Sequence, residues 1–315
     1  MTLPNLIIPG AQKSASTTLY QLLNEHEEIY GGDVKEPHFF SRDGNYRKGI
    51  SCYQQNYLRH QGEKIVVDAS QSYMPLDFVP HRICSTLGTN VRFVFVLRHP
   101  IERVISAFTH QKKRPKRETK RELSELVPPN LDTLTLEELL AYEINAIQKG
   151  IESGSIQPHD RFWARHGFPY RYFYDSCYTR HIKNYYRYFP RQNFLFLTFR
   201  DVTLYQKQTL IKIARFLRVD ADKFEQSTGT LHANQAWMYK KHWMTRIVPA
   251  IKWCLLRPIL PESKMDLFEK WEMRQLKYKP QYSFPNTIHR RLMAIFQPEI
   301  KRTMSLTGLD LSFWQ

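Results

Sequence analysis

Five side chains that bind anions crowd into Pro9-Gly10-Ala11-Gln12-Lys13-Ser14-Ala15-Ser16-Thr17-Thr18: Lys13 with a full positive charge, and the hydroxyls of Ser14, Ser16, Thr17 and Thr18. Further along, Lys35-Glu36-Pro37-His38-Phe39-Phe40 holds two candidates for a general base, Glu36 and His38. A carboxylate or a neutral imidazole can take a proton from an acceptor within hydrogen-bond reach. Arg98 and Ser106, eight residues apart, can meet a second phosphate. Each group has a plainer alternative. The first is also an ordinary capped helix start, the second a solvated Lys–Glu pair before two core phenylalanines, the third a strand-end arginine and a filler serine.

These residues need elements to hold them. Leu6-Ile7-Ile8 reads as a strand, and Leu19-Tyr20-Gln21-Leu22-Leu23 has helical apolar spacing. A strand, a tight polar turn and a helix in that order make a phosphate cradle, because the first N–H groups of the helix point at the anion and its dipole adds positive potential. Pro37 pushes Glu36 onto extended backbone. The run 91–97, β-branched and aromatic almost throughout, predicts a central buried strand that ends at Arg98. Pro100 suits a helix start, which puts Ser106 two turns along that helix. Shorter strands are expected at 64–68 and 193–199, and helices at 76–87, through Leu210, Ile213, Phe216 and Leu217, and at 288–304. Thr135 with Glu138 forms a capping box for a helix towards Lys149.

Lys13 follows Gly10 by three residues and no Gly-Lys-Ser/Thr comes after it, so the stretch does not match the nucleoside-triphosphate loop G-x-x-x-x-G-K-[ST]. It resembles G-x-x-K-x-G-T-T/S, the 5′-phosphosulfate loop of sulfotransferases that use 3′-phosphoadenosine 5′-phosphosulfate (PAPS), with Ala15 where that family has glycine. Leu97-Arg98-x-Pro100-x-x-Arg103-x-x-Ser106 resembles the family's 3′-phosphate motif at every position. Lys35-Glu36-x-x-Phe39-Phe40 is similar to the K-E-x-x-F-F of the carbohydrate-type members and their bacterial relatives. Asp68 and Tyr73 also fit, whereas Ala69 stands where the heparan-type enzymes place a lysine. Ser176-x-Tyr178-x-x-x-Ile182-x-x-Tyr185 fits a further family pattern.

The resemblance implies an α/β P-loop fold of three layers, a mostly parallel central sheet flanked by helices. It implies one domain over 1–315, with a helical lid or substrate-side insertion around 237–282. Gly10, Ala11, Gln12, Lys13, Ser14, Ala15, Ser16, Thr17 and Thr18 would hold the 5′-phosphosulfate; Arg98 and Ser106 would hold the 3′-phosphate. Tyr178 would approach the nucleotide, and Lys277 and Lys279 would cover its phosphate and adenine. Glu36 would be the base, with His38 as second candidate and Lys13 stabilising the departing phosphate. The product would be 3′-phosphoadenosine 5′-phosphate (PAP), and no metal is expected, since no magnesium-holding carboxylate motif is evident. The acceptor implied is a hydroxyl or amine on a carbohydrate or glycolipid; a phenol, alcohol or alkaloid natural product is the alternative.

Composition is consistent with anionic ligands: of 315 residues, Lys plus Arg outnumber Asp plus Glu by 46 to 30, a net charge of +16. Two other classes fit parts of the chain. A P-loop kinase is disfavoured by the loop spacing, and nucleic-acid binding rests only on the basic run 111–121 and the aromatic, basic stretch 162–189. Cys52, Cys84, Cys177 and Cys254 form no C-x-x-C pair, which suits a reducing compartment and predicts a cytoplasmic chain. The first strand begins within a few residues of Met1, so no leader is expected. Residues 243–260 are apolar and Trp-rich, but Pro249 and interspersed Arg and Lys rule out a span; contact with a membrane surface is the alternative to a lid. None of this speaks to oligomeric state.

Overall fold

A computed structural model describes residues 2–112, 122–153, 170–227, 238–239, 277–278 and 282–314. Five strands, β1 (Leu6–Gly10), β2 (Ile29–Tyr30), β3 (Ile65–Asp68), β4 (Arg92–Leu97) and β5 (Phe194–Thr198), form one sheet in the order β2-β3-β1-β4-β5. Every pairing in it is parallel. The helices are α1 (Ser16–Asn24), α2 (Asp43–Tyr46), α3 (Ile50–Gln54), α4 (Val79–Leu87), α5 (Pro100–Lys112), α6 (Leu136–Glu152), α7 (Tyr178–Tyr186), α8 (Phe199–Leu204), α9 (Gln206–Leu217) and α10 (Asn286–Thr307). The architecture is therefore the expected α/β fold with a parallel central sheet.

Alternation along the strands builds the two outer layers. On β4, Phe93, Phe95 and Leu97 face a core shared with Ile83 of α4, Val104 and Phe108 of α5, Tyr185 of α7 and Phe296 of α10. Val94 and Val96 face the other way, onto Leu19 and Leu23 of α1 and Leu210 and Ile213 of α9. Both faces of the sheet are covered, which is why β4 reads as an unbroken apolar run. The helix expected at 76–87 starts only at Val79, after a turn in which Val79 N donates to Leu76 O (3.0 Å). α6 begins as the capping box predicts, with Glu138 N donating to Thr135 Oγ1 (3.3 Å) and Thr135 N to Glu138 Oε2 (2.8 Å). α10 carries Pro298 in its interior and continues through it.

The chain leaves β1 for the far edge at β2, returns through β3 to β1's side, then crosses to β4 on the other side. Open parallel sheets bind ligands where the order reverses, outside the carboxyl ends of the strands. The loop after β1 and the turn after β4 meet at that place. Of the 237–282 segment, only the antiparallel pair β6 (Met238–Tyr239) and β7 (Lys277–Tyr278), together with Tyr282, is described. The stretch 243–260, the basic run from 113 on, the aromatics at 162–169 and Cys254 lie outside the described residues. Among the described residues no helix is long and apolar enough to cross a membrane.

Candidate functional site

The loop after β1 is shaped by unusual backbone. Gly10 has φ +148°, and a Cβ there would come within 3.0 Å of Met74 Cβ, so both conformation and space require glycine. Lys13 (φ 68°) and Ala15 (φ 67°) take left-handed conformations without being glycine. Ala15 is the cap position of α1 and has no side-chain group to cap with. The N–H groups of Ser16, Thr17 and Thr18 thus begin a helix with no intrahelical acceptor, and no side chain at the cap position satisfies one of them. Ser14 Oγ is fully buried beneath the loop and has no hydrogen-bond partner among the described residues. A buried, unengaged hydroxyl under an uncapped helix start fits an anion ligand.

Gln12, Lys13, Ala15, Ser16, Thr17 and Thr18 line a cleft of about 250 Å³. Arg98, Ser106 and Gln71 line the same cleft, with His110, Phe199 and Thr203. Gly10, Ala11 and Ser14 lie buried beneath it. The two sequence motifs therefore open onto one space. Arg98 Nη1 donates to Lys13 O (3.2 Å), its Nε to Glu102 Oε2 (3.2 Å), and its guanidinium lies 4.4 Å from the centre of the Phe199 ring. Phe199 was invisible as a site residue in sequence. Its signal is position: it follows Thr198, which pairs in register with Leu97, so it lies beside Arg98 at the sheet's carboxyl edge.

Not every motif residue faces the cleft. Arg103 is buried and donates through Nε to Ser176 Oγ (2.7 Å) and through Nη2 to Tyr172 O, joining α5 to the turn before α7. Tyr178 is buried too, and its hydroxyl donates to Arg98 O (2.6 Å), fixing the end of β4 from behind. Lys277 lies on β7, paired with Tyr239, and Lys279 is outside the described residues. A larger cleft, about 490 Å³ between α6, α7 and α10, shares no residue with the loop cleft.

Behind Thr17 and Gln71 of the cleft lies the Lys35-Glu36-Pro37-His38-Phe39-Phe40 segment, stitched to the turn after β3. Ala69 N donates to Lys35 O (3.3 Å), His38 N to Ser70 Oγ (3.0 Å) and Phe40 N to Tyr73 Oη (3.3 Å). The turn is pinned by Asp68, whose carboxylate accepts from Tyr53 (2.6 Å), Tyr73 (2.8 Å) and Ser70 N (3.0 Å). Burial pushes that carboxyl's pKa up, and the hydroxyls and N–H oppose the shift. Phe39 stacks on Tyr53 with centroids 4.3 Å apart, so the two phenylalanines do anchor the segment in the core.

Glu36 is thereby held beside the loop. Its Oε1 accepts from Lys35 Nζ (2.7 Å) and Gln71 Nε2 (3.1 Å), and its Oε2 lies 3.4 Å from His38 Nε2. Lys35 Nζ also donates to Thr17 Oγ1 (2.9 Å), and Ser16 Oγ donates to Gln71 Oε1 (3.3 Å). An exposed ion pair contributes only about 0–1 kcal/mol. What this half-buried Lys35–Glu36 pair adds is placement. His38 Nδ1 is 2.8 Å from Ser72 Oγ, and burial drives the ring's pKa down to about 4, so it is neutral at pH 7. Lys35 and Gln71 as bridges between this segment and the cleft were missed in sequence, because both contacts exist only once β1 and β3 lie side by side.

Comparison with known proteins gives the family and the fold. The family model for the sulfotransferase domain matches residues 3–247. Heparan sulfate glucosamine 3-O-sulfotransferase 5 of Mus musculus is 26% identical over 195 residues, 61% of this chain and 46% of its own length. The bifunctional heparan sulfate N-deacetylase/N-sulfotransferase 1 of Caenorhabditis elegans is 30% identical over 114 residues, 35% of this chain and 13% of its own. The chain spans less than half the length of these curated relatives. A solved sulfotransferase structure from Alicyclobacillus acidocaldarius superposes with a TM-score of 0.61 at 20% identity, covering 100% of this chain and 99% of that one, which shows the shared fold.

Proposed function

The chain belongs to the sulfotransferase-domain family, and from that premise we propose that it moves a sulfuryl group from PAPS to a hydroxyl or amine of a carbohydrate or glycolipid. One observation carries the reading: Lys13 with its hydroxyl loop and Arg98 with Ser106 line a single cleft, and Glu36 is tethered to that cleft through Gln71. When bound, PAPS supplies the sulfuryl group on its 5′-phosphate. Lys13 and the first N–H groups of α1 hold the 5′ end; Arg98 and Ser106 hold the 3′-phosphate. Glu36 takes the acceptor's proton, and Lys13 stabilises the charge that gathers on the phosphate side as the sulfur–oxygen bond breaks. The carbohydrate acceptor is taken from the relatives that act on heparan sulfate and from the net charge of +16. Free thiols at Cys52, Cys84 and Cys177 suit the cytoplasm as its setting. Contact with a membrane surface through 243–260 is proposed on composition alone.

Incubation with labelled PAPS and a panel of heparan-type glycans, glycolipids, phenols and alkaloids, followed by mass spectrometry, tests the function. A sulfated glycan or glycolipid product is expected. Sulfation of small molecules alone would move the acceptor assignment to the natural-product class. A thermal shift with Mg-ATP and none with PAPS would overturn the reading altogether.

A further inference from the structure

Lys35 touches both halves of the site at once, the loop hydroxyl Thr17 Oγ1 (2.9 Å) and the carboxylate Glu36 Oε1 (2.7 Å). We propose that Lys35 is a positioning residue of the transfer step, which directs the proton to one oxygen of Glu36 and keeps a cation in contact with the charge at both ends of the reaction. The proposal rests on reading Glu36 as the base and the loop as the 5′ site.

The two oxygens of Glu36 are not equivalent. Oε1 accepts from both Lys35 and Gln71. Gln71 must point its amide nitrogen at Glu36, since an ionised carboxylate only accepts, and its carbonyl then faces Ser16. Among the described residues Oε2 has no such donors and meets the imidazole nitrogen of a neutral His38 at 3.4 Å. The proton from the acceptor therefore goes to Oε2. The two loop hydroxyls differ in the same way. Thr17 Oγ1 accepts from Lys35, which leaves its own hydrogen to donate to an anion in the cleft that Thr17 lines. Ser16 already donates to Gln71 and must leave that bond to do the same.

In the step itself, the bond between sulfur and the 5′-phosphate oxygen breaks and its electron pair stays on the phosphate. The acceptor oxygen or nitrogen bonds to sulfur, and its proton goes to Glu36 Oε2. Glu36 becomes neutral while negative charge gathers on the loop side. Lys35, bonded to both Glu36 and Thr17, faces the carboxylate before transfer and reaches the phosphate through Thr17 after it. Its backbone is fixed for this by Ala69 N, so the ammonium need not move far.

The test compares Lys35→Met, Lys35→Arg, Glu36→Gln and the double variant Lys35→Met/Glu36→Gln. Turnover is read as PAP released from PAPS, with heparan sulfate and with water alone as acceptor, and PAP affinity is read by calorimetry. Lys35→Met is expected to lower kcat about 30-fold with PAP affinity changed less than about threefold, and Lys35→Arg to restore at least about a third of the activity. With Glu36 already replaced, losing Lys35 should cost less than about threefold more, because the two act as one unit. Wild-type kcat in Lys35→Met, loss of PAP binding, or the full 30-fold loss again in the Glu36→Gln background overturns the proposal. Wild-type turnover in Glu36→Gln, or no PAP release by the wild-type chain with any acceptor of the glycan, glycolipid, phenol and alkaloid panel, overturns the parent reading instead.

Discussion

The guanidinium of Arg98 donates to the main-chain carbonyl of Lys13 across a distance of 3.2 Å. The turn after β4 thus holds the loop after β1 in place before any ligand arrives. The bond uses one nitrogen of Arg98; Glu102 and the face of Phe199 fix the rest of its plane. Lys13 itself takes a left-handed backbone, φ 68°. Binding at one end of the cleft and loop shape at the other are coupled through this contact.

Replacing Arg98 should therefore act on affinity more than on chemistry. Arg98→Ala is expected to weaken PAP binding by about 10- to 100-fold, the range for losing hydrogen bonds to a charged group. Arg98→Lys should recover little of it, since an ammonium cannot serve three directions in one plane. Turnover at saturating PAPS should fall much less. Calorimetric titration with PAP measures the first effect, and an unchanged dissociation constant in Arg98→Ala removes the assigned role.

Lys13→Ala and Glu36→Gln should each cut kcat by about 10²-fold or more, as single charged groups acting in a transfer step commonly do. The two differ in binding. Lys13→Ala should also raise the dissociation constant for PAP, whereas Glu36→Gln should leave it within about threefold, because Glu36 lies behind Gln71 rather than in the cleft lining. Near wild-type turnover in Glu36→Gln would transfer the role of base to His38, which His38→Asn then checks.

Ala15 occupies a position that glycine suits better. With φ 67° its Cβ crowds the following carbonyl oxygen at a cost of about 1–2 kcal/mol, partly offset because alanine loses less chain entropy on folding than glycine, by about 0.4–1 kcal/mol. Ala15→Gly should therefore raise stability by up to about 1 kcal/mol, seen as a higher urea midpoint at unchanged slope. Ala15→Val should lower it, since a β-branched residue tolerates this region less well. A fall in the midpoint on Ala15→Gly would mean that the loop's backbone strain is absorbed elsewhere.

Much of the fold was legible because its signals are local. The strand, turn and helix of 6–24, the apolar strand ending at Arg98 and the Thr135–Glu138 capping box each depend on neighbours a few residues apart. β2, with two residues, is too short to carry a periodicity. The bridges from Lys35 to Thr17 and from Gln71 to Glu36 span 18 and 35 residues and follow from sheet order, which no local pattern encodes. Arg103 shows the opposite error. Motif spacing groups it with Arg98 and Ser106, yet its guanidinium turns inward to Ser176, where it organises the core behind the site.

Two buried groups near that core give opposite dependences on pH. His181 is fully buried, its Nε2 engages Tyr174 O (3.0 Å), its Nδ1 has no partner among the described residues, and burial drives its pKa down to about 3. Above pH 6.5 neither the folded nor the unfolded chain holds the extra proton. Below it the unfolded chain binds one that the folded chain refuses, so stability falls by about 1.4 kcal/mol per pH unit until the folded ring itself titrates. Glu143 accepts from Phe173 N (2.8 Å) and Tyr174 N (2.9 Å), and burial raises its pKa to about 7. Between pH 4.5 and 7 the folded chain keeps a proton there that the unfolded chain has lost, so this group's contribution falls as pH rises. Urea midpoints of His181→Gln from pH 4.5 to 6.5 should lose one proton's worth of acid destabilisation, while those of Glu143→Gln should steepen it. An acid slope in His181→Gln equal to the wild type's would show that the ring already carries its second proton in the folded chain, with Nδ1 bonded to something other than the residues around it here.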